Sequence, residues 1–68
     1  MSVAKIIEIS SESDTSFDDA IRHGIARAEE SLKNVRGAWV SDQKVIVEKG
    51  KIKRWHVVMR VSFVLDHD

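Results

Sequence analysis

Between Glu48 and Lys51 the chain reads EKGK, and a long β-prone run lies on either side of it: RGAWVSDQKVIVE from Arg36 to Glu48, and IKRWHVVMRVSFVL from Ile52 to Leu65. A gap this short joins two strands only as an antiparallel hairpin. Gly50 supplies the positive φ that the turn needs. The hairpin takes up much of the 68 residues, so the rest of the chain must be arranged around it.

Ahead of the hairpin, VAKIIEI over residues 3–9 is short and β-branched and predicts a first strand. The polar run SSESDTS, Ser10 to Ser16, predicts a loop. A helix follows from Phe17 to Lys33. Thr15 or Ser16 can cap its free N–H groups, and Asp18 and Asp19 suit the positive end of its dipole. Asn34 is a reasonable stop. The apolar residues Ala20, Ile21, Gly24, Ile25, Ala28 and Leu32 recur at spacings of three and four, on one stripe. That stripe is narrow and small at Ala20, Gly24 and Ala28, which lets the helix backbone approach a sheet closely. The order is β-α-β-β, an α+β fold, expected as one domain over residues 1–68 with a three-stranded antiparallel sheet against one helix.

Period-two alternation assigns the faces. In the last strand Trp55, Val57, Met59, Val61, Phe63 and Leu65 form a wholly apolar face that must meet the helix, with Trp55 expected in the core. His56, Val58, Arg60, Ser62 and Val64 lie on a mixed second face. In the preceding strand Ala38 and Val40 are small enough to sit under the helix, in a set with Asp42, Lys44 and Ile46. Trp39, Ser41, Gln43, Val45 and Val47 then share the second face, unless a bulge exchanges the two. One helix covers one side of a sheet. The other side would leave Trp39, Val45, Val47, Val58 and Val64 open to water, and apolar patches of that kind mark interfaces.

Composition narrows the partners. A core of this size supplies only about 3–5 kcal/mol. With no cysteine there is neither a disulfide staple nor a thiolate metal site, so self-association is the expected source of further stability. Eleven basic residues balance eleven acidic ones, which argues against a nucleic-acid-binding stripe. The group Lys49, Lys51, Lys53 and Arg54, offset by Glu48, surrounds a turn and reads as a solvated hairpin tip. No apolar run approaches the roughly 20 residues of a membrane span. The opening MSVAKIIEIS lacks the pattern of a signal peptide, so the expected location is the cytoplasm. His23, His56 and His67 are scattered over helix, strand and tail and make no zinc motif. Ser, His and Asp are present without a spacing that suggests catalysis, and the chain is read as a non-enzyme. Glu12, Asp14, Asp18 and Asp19 have oxygens enough to attract a hard cation. They lack the spacing of a calcium loop and suit a solvated helix start.

Taken in order, the opening VAKIIEIS, the helix AIRHGIARAEESLKNV, the segment WVSDQ and the ending VSFVLD resemble the dodecins over nearly the whole chain. The resemblance implies a hollow shell of twelve copies with cubic-type symmetry, each sheet wrapping partly around its own helix. It also implies noncatalytic binding of flavins, riboflavin or FMN, in pairs between subunits, for storage and protection from photochemistry. In the family a tryptophan on the middle strand stacks on the ring and a glutamine on the last strand meets its polar edge. Counted from VSFVLD, the glutamine position falls on His56. Counted from Asp42 and Gln43, the tryptophan position falls on Gly37, and Trp39 stands two residues on. A separate branch of the family lacks the usual flavin residues and is associated with calcium.

The cofactor-contacting residues expected are therefore Trp39, His56, Gln43 and Arg60. Trp39 offers a flat π surface for a ring, or an anchor between subunits. His56 offers a nitrogen at the ring's polar edge, or a half-buried subunit contact. Arg60 and Gln43 can reach a phosphate or ring carbonyl, or make polar links between copies. The alternatives to a flavin shell are a structural or metal-associated shell without flavin and, less favoured, a small enzyme in the same cleft.

Overall fold

The elements run β1 (Ala4–Ser13), α1 (Phe17–Ser31), β2 (Val35–Glu48) and β3 (Lys51–Val64) in a computed structural model that describes residues 3–65. His67 lies outside the described residues. The three strands form one antiparallel sheet in the order β1-β3-β2, so the last strand is central and the hairpin's first strand is an edge. At the hairpin turn both Lys49 (φ 53) and Gly50 (φ 76) are left-handed, as the tight turns that match strand twist require.

The first strand runs past Ile9 to Ser13, through the residues expected as loop. Ser10, Ser11, Glu12 and Ser13 pair with Val58, Val57, His56 and Trp55. Ladder pairing with β3 outweighs the weak β preference of serine. The helix is shorter than expected. It ends at Ser31, Leu32 is already extended and donates its N–H to the Ala28 carbonyl, and Asn34 takes φ 63. Asparagine tolerates that left-handed value better than most residues.

The helix lies over β1 and β3 and hardly touches β2. Ala20, Val57, Met59 and Val61 are fully buried between them, flanked by Ile7, Ile9, Phe17, Ile21, Ile25 and Val35. Gly24 and Ala28 are the other buried helix positions, so the narrow small-residue stripe is the buried one. Ala38 and Val40 oppose Val61 and Met59, hence share the helix-side face, yet both stay exposed because the helix does not reach the edge strand. Trp55 is on the helix side but only half-buried and outside the core cluster. It sits between Ser13 and Val45, beyond the helix's start.

The face assignment of β2 holds as far as Val40 and then changes. Val40 opposes Met59 and Asp42 opposes Val58, leaving Ser41 as an extra residue. Opposed residues share a face, so the bulge turns Asp42 and Lys44 to the outer face, away from the helix. Gln43 and Val45, opposite Val57 and Trp55, turn to the helix side. A further shift between Ile46 and Val47 returns Val47, opposite Ile52, to the outer face.

Candidate functional site

The outer face gathers polar chemistry on alternate residues of three strands. On β1 these are Ile6, Glu8, Ser10 and Glu12; on β3, Arg54, His56, Val58, Arg60 and Ser62; on β2, Gly37, Trp39, Asp42 and Lys44. Each follows from cross-strand register. Two groupings emerge.

The first surrounds Trp39. Its indole is 55% exposed and stands opposite Arg60, which in turn opposes Glu8. Arg60 and Glu8 pair at 3.7 Å with both side chains largely in water. Ile6, Glu8, Trp39, Ser41 and Arg60 line a shallow depression of about 710 Å³, within the size range of small-molecule sites. The Ser41 hydroxyl donates to the Val58 carbonyl at 3.1 Å, pinning the bulge beside the indole. Gly37 opposes Ser62, on the same face as Trp39. A Cβ added there would meet only the Ser62 Oγ, at 3.6 Å. There is open room at Gly37, on the face that carries the indole.

The second grouping surrounds His56. Glu12, its cross-strand neighbour, accepts a hydrogen bond from Nδ1 at 3.0 Å, and the other carboxylate oxygen lies 3.9 Å from Arg54 Nε. Lys44 opposes His56 from the other side. The Glu12 carboxyl is held below its ordinary value of 4.5, first by the hydrogen bond from His56, with the positive charges of Arg54 and Lys44 adding to it and desolvation opposing.

Sequence reasoning placed Trp39, His56, Gln43 and Arg60 together; the structure does not bring all four together in one chain. Trp39 and Arg60 meet. His56 is four residues along β3 from Arg60, about 13 Å, and does not line the same depression. Gln43 does not share their face, because of the Ser41 bulge. Glu8 and Glu12 were missed as partners. Their two-residue alternation with the helix-facing side of β1 is a signal for them, hidden by reading Ser10 to Ser16 as loop.

At the other end of the acidic segment, Glu12, Ser13, Asp14, Asp19, His23 and Arg54 line a hollow of about 340 Å³. Asp19 is occupied locally: it accepts from the Ser13 hydroxyl at 2.7 Å, and His23 lies 3.6 Å from its other oxygen. Among the described residues no three His, Asp or Glu side chains are placed to hold a metal ion, and no helix is long and apolar enough to cross a membrane.

The chemistry of the Trp39 grouping fits a flat aromatic ligand: an exposed indole to stack on, open space beside it, and an arginine across the strand for a carbonyl or phosphate oxygen. Comparison with known proteins agrees with the fold. The dodecin family profile matches residues 3–66. The sequence is 33% identical over 63 residues to the calcium dodecin of Mycobacterium tuberculosis, covering 93% of this chain and 89% of that one. A crystal structure of that protein, described as calcium-chelating with a novel calcium-binding site, superposes with a TM-score of 0.79 at 35% identity, over 90% and 87% of the two chains. A dodecin from Streptomyces davaonensis superposes with a TM-score of 0.90 at 33% identity over 97% of each chain. A point variant of a Thermus thermophilus dodecin superposes at 0.91 with 25% identity over the full length of both.

Proposed function

The chain belongs to the dodecin family, and from that premise we propose that it is a noncatalytic flavin-binding subunit of a homododecameric shell. It would hold riboflavin or FMN for storage or sequestration inside the cell. The observation that carries this reading is Trp39: an indole 55% exposed, on the sheet face that no helix covers, beside the space at Gly37. Exposure of that much aromatic surface is costly unless something covers it, and stacking on a ring is a use that its flat shape suits.

In this reading Trp39 stacks on the ring and Arg60 meets a ring carbonyl or the phosphate. His56 is too far along β3 to touch a ring resting on Trp39 of its own chain, so the polar edge is met by His56 of another copy. The cleft is shared between subunits. Gln43, turned to the helix side, takes no part in ring contact.

Riboflavin fluorescence tests it. Added to a molar excess of protein, riboflavin should be quenched, and FMN likewise. Trp39→Ala should weaken binding by about tenfold or more, the worth of one aromatic stacking contact of about 1.5 kcal/mol. Trp39→Phe, which keeps a flat ring, should retain part of it. If riboflavin stays fully fluorescent in excess protein, flavin storage is wrong for this chain.

A second reading has one observation behind it, the 33% identity to a relative named for calcium. In that reading the shell holds a metal ion rather than flavin, and the ligands come from more than one copy, since Arg54 stands in the acidic hollow of a single chain. Titration calorimetry with calcium chloride separates the two readings. Heat of binding together with silence towards riboflavin would favour the ion.

A further inference from the structure

We propose that Glu12 is a positioning residue for His56, and that the pair recognises the polar edge of a flavin through a nitrogen whose role changes with protonation. The inference rests on the flavin reading and names what makes this chain's site differ from the glutamine pattern of its family.

The argument starts from the 3.0 Å contact between Glu12 Oε2 and His56 Nδ1. An ionised carboxylate only accepts, so in this contact Nδ1 carries the hydrogen. Cross-strand pairing of Glu12 with His56 holds both backbones in register, and the ring keeps only 22% of its surface exposed. Neutral His56 therefore presents Nε2 as a bare acceptor. Protonated His56 presents Nε2–H as a charged donor. A glutamine amide in the same place offers a donor and an acceptor at every pH.

The polar edge of an isoalloxazine ring has one imide N–H flanked by two carbonyl oxygens. Acceptors outnumber donors there. Neutral His56 can meet only the N–H; the protonated form meets a carbonyl, with the added strength of a charge-assisted bond. The groups around the imidazole on its sheet face are Glu12 and Ser10 from β1, Arg54 and the apolar Val58 on β3 itself, and Lys44 and Asp42 from β2; the helix lies on the other face of the sheet. Arg54 and Lys44 are cations, and Glu12 is the carboxylate in hydrogen-bond reach.

The test is riboflavin binding by the assembled protein, followed by fluorescence quenching from about pH 8 to about pH 5.5, across the histidine range. Riboflavin has no group that titrates there. Light scattering at each pH restricts the comparison to conditions of constant mass. Affinity should rise as pH falls, by about tenfold, the usual gap between a neutral and a charge-assisted hydrogen bond. His56→Gln should bind with a flat profile. Glu12→Gln, which supplies no charge, should lose at least half of the pH response while the protein keeps its mass. Quenching that is intact but independent of pH, or that weakens in acid, overturns the proposal and leaves the flavin reading standing. A Glu12→Gln profile equal to the wild type overturns the role of Glu12. Absence of quenching at every pH overturns the flavin reading and this inference with it.

Discussion

Gly24 shows how much rests on one hydrogen atom in a thin core. The helix backbone comes so close to the sheet that a Cβ at this position would stand 2.5 Å from the Met59 Cε and 3.2 Å from the Ser11 Cβ. Met59 can swing its terminal methyl aside, but it is fully buried and has little room; Ser11 is fixed to a paired strand. Glycine costs a helix about 1 kcal/mol relative to alanine, whereas overpacking costs about 1–3 kcal/mol. The steric cost wins. Gly24→Ala is expected to lower stability by about 1 kcal/mol, read as a lower thermal midpoint, and a higher midpoint would show that the helix simply lifts. Glu12 gives a second residue-scale expectation. Its carboxyl titrates below the ordinary value in the folded chain. A depressed carboxylate contributes stability that is present above its unfolded value and lost as pH falls through its folded one. Stability should therefore decline below about pH 4.5, and Glu12→Gln should make that acid limb shallower, as seen in thermal midpoints collected from about pH 6 to about pH 3.

At the scale of elements, the junction between β1 and α1 is held by two serines. Ser16 is the helix N-cap and accepts from the Asp19 N–H at 3.0 Å. Ser13 is buried; its hydroxyl accepts from the Thr15 N–H at 2.9 Å and donates to Asp19 at 2.7 Å. Ser16→Ala should cost about 1 kcal/mol, and Ser13→Ala at least as much, because it strips a partner from Asp19 and from the loop backbone. Urea or thermal unfolding of the two variants checks the order. These elements also show what the sequence could and could not say. The four elements, the hairpin and the buried stripe Ala20, Gly24, Ala28 follow from local periodicity, which a short chain displays openly. Residue type narrows the cap to Thr15 or Ser16. The length of β1 was not legible, because Ser10 to Ser13 are strand only by virtue of what they pair with. Nor was the bulge at Ser41. Nothing in VSDQ marks the extra residue, and a one-residue slip carries Gln43 and Val45 to the opposite face. Alternation therefore predicts the shared face of Trp39 and Arg60, whereas the bulge takes Gln43 off it.

At the scale of the whole molecule, the hairpin outruns its support. β1 pairs with β3 only as far as Trp55, so residues 46–54 form a two-stranded ribbon, and the chain reaches 52 Å along its longest axis. A lone ribbon is marginal in water. This one carries Val47 and Ile52 as an opposed apolar pair, 57% and 50% exposed. It is a surface that a shell of copies would hide, as are Val40 and Val45 on the opposite, helix-side face of the edge strand. Light scattering of the wild type should then give about 92 kDa, twelve times the 7.7 kDa chain. Val47→Glu is the sharper test. The new carboxylate stands opposite Ile52 on an exposed ribbon, where water solvates it and the isolated chain would tolerate it. Buried against a neighbour, the same charge loses water without a dedicated partner and costs several kcal/mol. With only about 3–5 kcal/mol expected from a core of this size, the subunit has little reserve. Val47→Glu should fall to smaller species and melt earlier. A variant that keeps the mass and midpoint of the wild type would mean the ribbon stands in water, and the stability of so small a chain would have to come from another surface.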